Sequence, residues 1–203
     1  SYSRGGPGVS LALTEDFHTF ERYGVVMPPE DKDSALLPRR YGGYWVLIHR
    51  PVTALGAHIW ISYSPDLRHW GAHKMILEAR RGAWWDANKI GISPPPIETP
   101  KGWLMIYHGV LTSCNGFVYS FGAALLDLEQ PWKVIYRTAP YLLSPQTLYE
   151  CVGDVPNVAF PCAALCDTDT GRLAIYYGGA DTVTCLAFAY ISELLDFIKA
   201  NSL

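Results

Sequence analysis

One strand-and-turn unit recurs along this chain, and the repetition limits what it can fold into more than any other feature. The unit is an aromatic-rich run, a polar or glycine-flanked corner, a second run and an acidic–hydrophobic turn. It passes through 43–50, 58–64, Asp66-Leu67 and Trp70. It returns through 102–109, 119–126, Asp127-Leu128 and Trp132, and again through 171–178, 184–190 and Glu193-Leu194. The tail of an earlier unit stands at 9–14, Asp16-Phe17 and Phe20. Its acidic member recurs at Asp16, Asp66, Asp127 and Glu193, at spacings of 50, 61 and 66 residues. Repeats of about 40–50 residues, each a small sheet, are the pattern of a β-propeller, and longer spacings belong to loops. A β-sandwich is the competing arrangement, because strand-plus-turn patterns recur in all-β proteins.

Composition agrees with short strands broken by turns. The chain holds 7 Trp, 13 Tyr and 7 Phe, with 15 Pro and 18 Gly spread along it. Aromatics fit a pleated, half-buried surface, while Gly and Pro end segments. One segment departs from alternation: Leu194, Leu195, Phe197 and Ile198 follow a helical period and predict a closing helix near 191–201. The expected organisation is a single partial propeller domain over residues 1–203. Three units and a remnant fall short of the roughly four to eight blades that close a propeller. The missing blades are expected from an absent N-terminal part or from another copy, as in a homo-oligomer.

Several function classes recede on charge and cysteine usage. A formal charge of −3 with no long basic run gives no nucleic-acid footprint. Arg80-Arg81 near Lys74 reads as a solvated loop. No stretch approaches the ~18 consecutive apolar residues of a membrane helix. The five Cys are odd in number and scattered, which speaks against a disulfide framework and for a reducing, cytoplasmic compartment. Cys162 and Cys166 lack a second ligand pair at zinc spacing, so no metal is expected, and no dinucleotide glycine loop calls for an organic cofactor.

Specific strings then align with a known family. Asp31-Lys32-Asp33-Ser34-Ala35-Leu36-Leu37-Pro38 followed by His49-Arg50-Pro51 resembles the signature of glycoside hydrolase family 130, the β-mannoside phosphorylases and β-1,2-mannosidases. Ile59 to Leu67, Lys89-Ile90-Gly91, Tyr107-His108-Gly109, Gly122 to Leu128, Gly153 to Val158 and Tyr176-Tyr177-Gly178 with Ala180-Asp181-Thr182 continue the match in order. The resemblance implies a five-bladed propeller with its site at the mouth of the central channel, of which about three to three and a half blades are present here. It implies that Arg50, Lys89 and His108 bind inorganic phosphate as a co-substrate. Physical logic agrees: Arg offers a planar fork, Lys a compact charge, and His a donor from either nitrogen. Tyr119, Asp181 and Phe160 match sugar-contacting positions, and Asp33 lies in the signature as a ligand contact or a loop brace. Trp85, in Trp84-Trp85-Asp86, is a candidate sugar platform, because aromatic rings stack on the apolar face of a pyranose. Adjacent side chains on an extended segment face opposite ways, so one of the two tryptophans at most would line a site.

One departure matters. The resemblance calls for a general-acid Asp just before the matched segment, yet Tyr2-Ser3-Arg4-Gly5 puts Ser or Arg where it would fall. Inverting phosphorolysis needs a donor for the leaving oxygen, so the catalytic acid is unassigned. An inverting hydrolase would instead need two carboxyls about 6.5–9.5 Å apart, with Glu98 and Glu150 as loop candidates. The basic set favours phosphorolysis of β-1,2- or β-1,4-linked manno-oligosaccharides to mannose 1-phosphate. A β-1,2-mannosidase and a non-catalytic sugar-binding fragment are the rival expectations.

Overall fold

The computed structural model describes all 203 residues, which fold mainly into short strands. β1 (Tyr2–Ser3) pairs with β2 (Gly6–Pro7), and β3 (Val9–Leu13) with β4 (Glu21–Met27). An antiparallel unit follows from β5 (Asp31–Leu36), β6 (Trp45–Thr53), β7 (Gly56–Ala57), β8 (Ile59–Ser64) and β9 (Gly71–Leu77), hydrogen-bonded in the order β5-β6-β8-β9. A second unit contains β10 (Lys89–Ile92), β11 (Ile97–Thr99), β12 (Gly102–Ser113), β13 (Gly116–Leu126) and β14 (Val134–Arg137), in the order β10-β12-β13-β14. Through β7 the two units join as one ten-stranded sheet, with Lys89 opposite Ala57 at the seam. After the short helix α1 (Leu148–Cys151) comes a separate antiparallel sheet of β15 (Ala159–Cys166), β16 (Arg172–Gly179) and β17 (Val183–Tyr190). Helix α2 (Ile191–Ala200) ends the chain and buries Leu194 and Ile198.

The recurring acidic turn has a physical cause. Asp16 Oδ1 accepts the backbone N–H groups of His18 and Thr19, each at 2.8 Å. Asp66 Oδ1 takes those of Arg68 and His69 at 2.9 and 2.8 Å, and Asp127 Oδ1 those of Glu129 and Gln130 at 2.9 Å. A short carboxylate after a strand thus satisfies the next two free amides, which is what Asp does best in turns. The fourth member differs. Glu193 lies in the first turn of α2, where a negative charge suits the helix N-terminus.

β12 carries the packing. It is buried on both faces from Gly102 to Val110. By the two-residue period of a strand, Trp103, Met105 and Tyr107 enter one core, shared with Ile48, Ile61, Trp85 and Ile90. Leu104 and Ile106 enter the other, shared with Phe121, Ile175, Tyr177 and Leu194. The next residue of that second row is His108, and it opens onto the functional cluster.

Candidate functional site

Strand register alone brings most of the cluster together. Gly91 of β10 sits opposite His108 of β12, and Lys89 opposite Val110. Across β12 to β13, His108 faces Phe121 and Val110 faces Tyr119. Directly opposed residues share a sheet face, so Lys89, Gly91, His108 and Tyr119 lie on one side. Gly91 is required there: a Cβ would come within 2.6 Å of His108 Cε1 and 2.7 Å of Asp33 Oδ2.

The neighbouring unit adds Asp33 and Arg50. Lys32 pairs with Arg50, and the ladder shifts register between Lys32 and Ala35. Asp33 takes a left-handed φ of 51° in that irregular stretch. An aspartate tolerates such a backbone better than most side chains. Its Oδ2 stands 2.5 Å from Arg50 Nη2 and 3.6 Å from His108 Nε2. Burial pushes the Asp33 carboxyl above the usual range, opposed by the charges of Arg50, Lys32 and Lys89. Burial also pushes His108 well below its usual value, reinforced by Arg50, Lys89 and Lys32. His108 is therefore a neutral imidazole at pH 7. Arg50 Nε and His108 Nδ1 are buried without a protein partner. Buried polar atoms are nearly always paired, so two orphans in one basic cluster mark a place built for a polar ligand.

Aromatic rings form the rim. The Phe160 ring centroid lies 4.4 Å from that of His108, and Tyr119 lies 6.2 Å from the same imidazole. Lys89 Nζ sits over the Phe117 and Tyr119 rings at 5.1 and 5.3 Å. Arg50, Lys89, His108, Asp33, Tyr119 and Phe160 thus form one cluster. Asp181 is set apart. It is exposed, with a φ of 52°, in the turn between β16 and β17, near the end of the sheet where Phe160 pairs with Gly178.

Trp85 is a correction to the sequence reading. It is buried in the first core, its Nε1–H donates to Ala139 O at 2.9 Å, and its ring packs on Tyr107. Gly109 and Gly122 make room for it, since a Cβ at either would come within 2.6 Å of its ring. It is a wedge between strands, with no face left for a sugar. Glu98 and Glu150 are committed elsewhere too. Glu98 pairs with Arg39 at the surface, and Glu150 accepts the Gln146 and Thr147 amides and the Tyr177 hydroxyl. Ser3 and Arg4 are exposed, and no carboxylate stands beside them in the sequence. A cavity of about 540 Å³ between α2 and the β13–β14 edge contains none of the cluster residues.

The loop before β10 was missed by sequence reasoning. Asp86 is fully buried and accepts from Arg137 Nη2 at 2.7 Å, the Tyr107 hydroxyl at 2.9 Å and Arg80 Nη1 at 3.4 Å. Arg80 also donates to Thr138 O and Ala139 O, and Arg137 to Glu78 O. This network anchors residues 80–88, hence the entry to Lys89. The only sequence signal was a carboxylate beside two tryptophans.

An all-β framework thus holds a basic, aromatic-rimmed cluster with two buried nitrogens free for a ligand. The chain belongs to glycoside hydrolase family 130, whose model, described as beta-1,4-mannooligosaccharide phosphorylase, matches residues 1–200. It is 50% identical over 200 residues to a beta-1,4-mannooligosaccharide phosphorylase of Ruminococcus albus, covering 97% of this chain and 59% of that protein. It is 40% identical over 202 residues to a beta-1,2-mannobiose phosphorylase of Listeria innocua, covering 98% and 55%. A solved beta-1,2-mannobiose phosphorylase from Listeria innocua, in complex with beta-1,2-mannobiose, superposes with a TM-score of 0.88 at 36% identity, over 95% of this chain and 54% of that one. The chain therefore spans between half and three-fifths of the length of these relatives.

Proposed function

We propose that this chain carries the phosphate side of a β-mannoside phosphorylase that releases mannose 1-phosphate with inversion. The observation behind the reading is the basic cluster of Arg50, Lys89 and His108, in which Arg50 Nε and His108 Nδ1 are buried without a protein partner. In the reaction an oxygen of phosphate bonds to C1 of a β-linked mannose from the face opposite the departing oxygen. The C1–O bond breaks, and the leaving oxygen takes a proton. Attack from the opposite face turns the β-mannoside into α-mannose 1-phosphate. Arg50 supplies two-point charge-assisted hydrogen bonds and Lys89 a point charge, which hold the anion and offset its repulsion from carboxylates. A neutral His108 adds a donor without adding charge.

Tyr119 and Phe160 are proposed to stack on sugar, with Asp181 accepting sugar hydroxyls at the same end. A β-1,4 linkage is the first expectation, supported by the 50% identical Ruminococcus albus relative. The units around β6, β12 and β16 are read as blades of a five-bladed propeller, within a domain that includes all 203 residues. Inorganic phosphate is the co-substrate, and the reading calls on no metal or organic cofactor. Five free thiols support a cytoplasmic location, and no helix is long and apolar enough to cross a membrane. Self-association into a homo-oligomer belongs to this reading as well.

The test incubates the full-length protein with β-1,4- or β-1,2-mannobiose, with and without phosphate, and follows products by proton NMR. Mannose 1-phosphate is expected only with phosphate, and Arg50→Ala is expected to lower turnover by about a hundredfold or more, the usual cost of losing one oxyanion donor. Phosphate-independent turnover unchanged in Arg50→Ala would overturn the reading.

A further inference from the structure

A carboxylate in the middle of an anion seat calls for an explanation. Asp33 Oδ2 lies against Arg50 Nη2, beside the partnerless Arg50 Nε, and 3.6 Å from His108 Nε2, so an oxyanion taken up on the Arg50 fork abuts this oxygen. The Asp33 side chain is only 15% exposed, and bare Gly91 packs against it. Its left-handed backbone, in the irregular stretch between Lys32 and Ala35, fixes the approach. Repulsion between this carboxylate and a bound anion works against affinity, most of all where burial lowers the dielectric. Bracing Arg50 is one use for it. Choosing between anions is another, and the two make different predictions.

We propose that Asp33 makes this seat selective for phosphate over sulfate, by accepting a hydrogen bond from the P–OH that phosphate carries and sulfate lacks. Both forms of phosphate present near neutral pH keep at least one P–OH, and a carboxylate turns that proton into a short, charge-assisted bond. Sulfate brings only unprotonated oxygens. Placed in the same seat, one of them faces Asp33 with no proton between, and like charges held in contact are how a site rejects a wrong partner. The burial that raises the proton affinity of Asp33 makes it a better acceptor for this bond. Its other oxygen, Oδ1, takes no part in the Arg50 or His108 pairs. The inference rests on the reading of Arg50, Lys89 and His108 as a phosphate seat.

The experiment titrates inorganic phosphate, sulfate and arsenate into the full-length protein and its Asp33→Asn variant by calorimetry at fixed ionic strength. Mannobiose turnover is assayed in parallel. The wild type is expected to bind phosphate at least about tenfold more tightly than sulfate, the worth of one charge-assisted hydrogen bond. Arsenate, protonated like phosphate, should follow phosphate. In Asp33→Asn the preference should collapse through tighter sulfate binding, because the amide can donate to an unprotonated oxygen. Equal weakening of both anions would make Asp33 a brace and overturn the proposal. Wild-type binding of sulfate as tight as phosphate would overturn it without any variant, as would arsenate behaving like sulfate. Selective phosphate binding with no mannose 1-phosphate would overturn the phosphorylase reading and leave the selectivity standing.

Discussion

Burial sets the charge state of His108, and that has a consequence for stability. The imidazole is 1% exposed, and its proton affinity is held well below the usual value by desolvation and then by Arg50, Lys89 and Lys32. In the unfolded chain the same group titrates near an ordinary pKa of about 6.5. Between that value and the lower folded one, the unfolded state binds the extra proton. Stability from neutral His108 is therefore present above about pH 6.5 and lost as pH falls below it, at a slope of at most about 1.4 kcal/mol per pH unit. Asp33 acts in the other direction, since its raised proton affinity favours the fold once it is protonated. Urea denaturation between pH 7.5 and 5 should show a steeper acid-side loss in the wild type than in His108→Gln, which cannot titrate there. Parallel profiles would mean that His108 takes up its proton in the fold as readily as in the unfolded chain.

Two elements decide whether the cluster assembles, and each supports a test. Gly91→Ala places a methyl where 2.6 and 2.7 Å are available to His108 and Asp33. Overpacking of this kind costs about 1–3 kcal/mol, and here it falls on the seat itself. Phosphate affinity should drop sharply while the urea midpoint moves modestly. The 80–88 loop depends on Asp86, and Asp86→Ala leaves two guanidinium groups and the Tyr107 hydroxyl without their shared acceptor. Breaking a buried pair costs about 3–5 kcal/mol, and the lower end is expected because both arginines keep carbonyl partners. Here the urea midpoint should fall first. The central strands β6, β12, β16 and β17 were legible because each is an aromatic or β-branched run bounded by glycine or a turn. β9 and β14 were not, since Gly71–Leu77 and Val134–Arg137 are partly exposed edge segments with mixed patterning. The four-residue helix α1, where the Glu150 carboxylate accepts the Thr147 amide, is too short for periodicity to detect. Arg50, Lys89 and His108 were legible only as motif members. What places them in one cluster is register between strands far apart in sequence. Trp85 was misread for the same reason: the glycines that receive it are 24 and 37 positions away, by the numbers of Gly109 and Gly122.

At the scale of the whole molecule, β12 makes the two cores one folding unit. Alternate residues of a single strand enter both, so neither can lose its packing while the other keeps β12 in place. The first core contains Trp85 and Trp103, whereas the second contains no tryptophan but packs against the thiols of Cys166 and Cys185. Tryptophan fluorescence therefore reports one core, and labelling at Cys166 and Cys185, with the exposed Cys114 and Cys162 removed, reports the other. Leu104→Ala removes a fully buried side chain from the second core alone and should cost about 2–5 kcal/mol. If the strand couples the cores, the urea midpoint read by tryptophan must shift as far as the midpoint read by thiol labelling, although no tryptophan touches the cavity side. Separation of the two transitions would show that the three-stranded sheet and α2 unfold on their own. The cluster of Arg50, Lys89, His108 and Phe160 would then straddle two independent bodies. Coincident transitions instead mean that the seat and its aromatic rim are held by one cooperative structure, so weakening either core loosens the site as a whole.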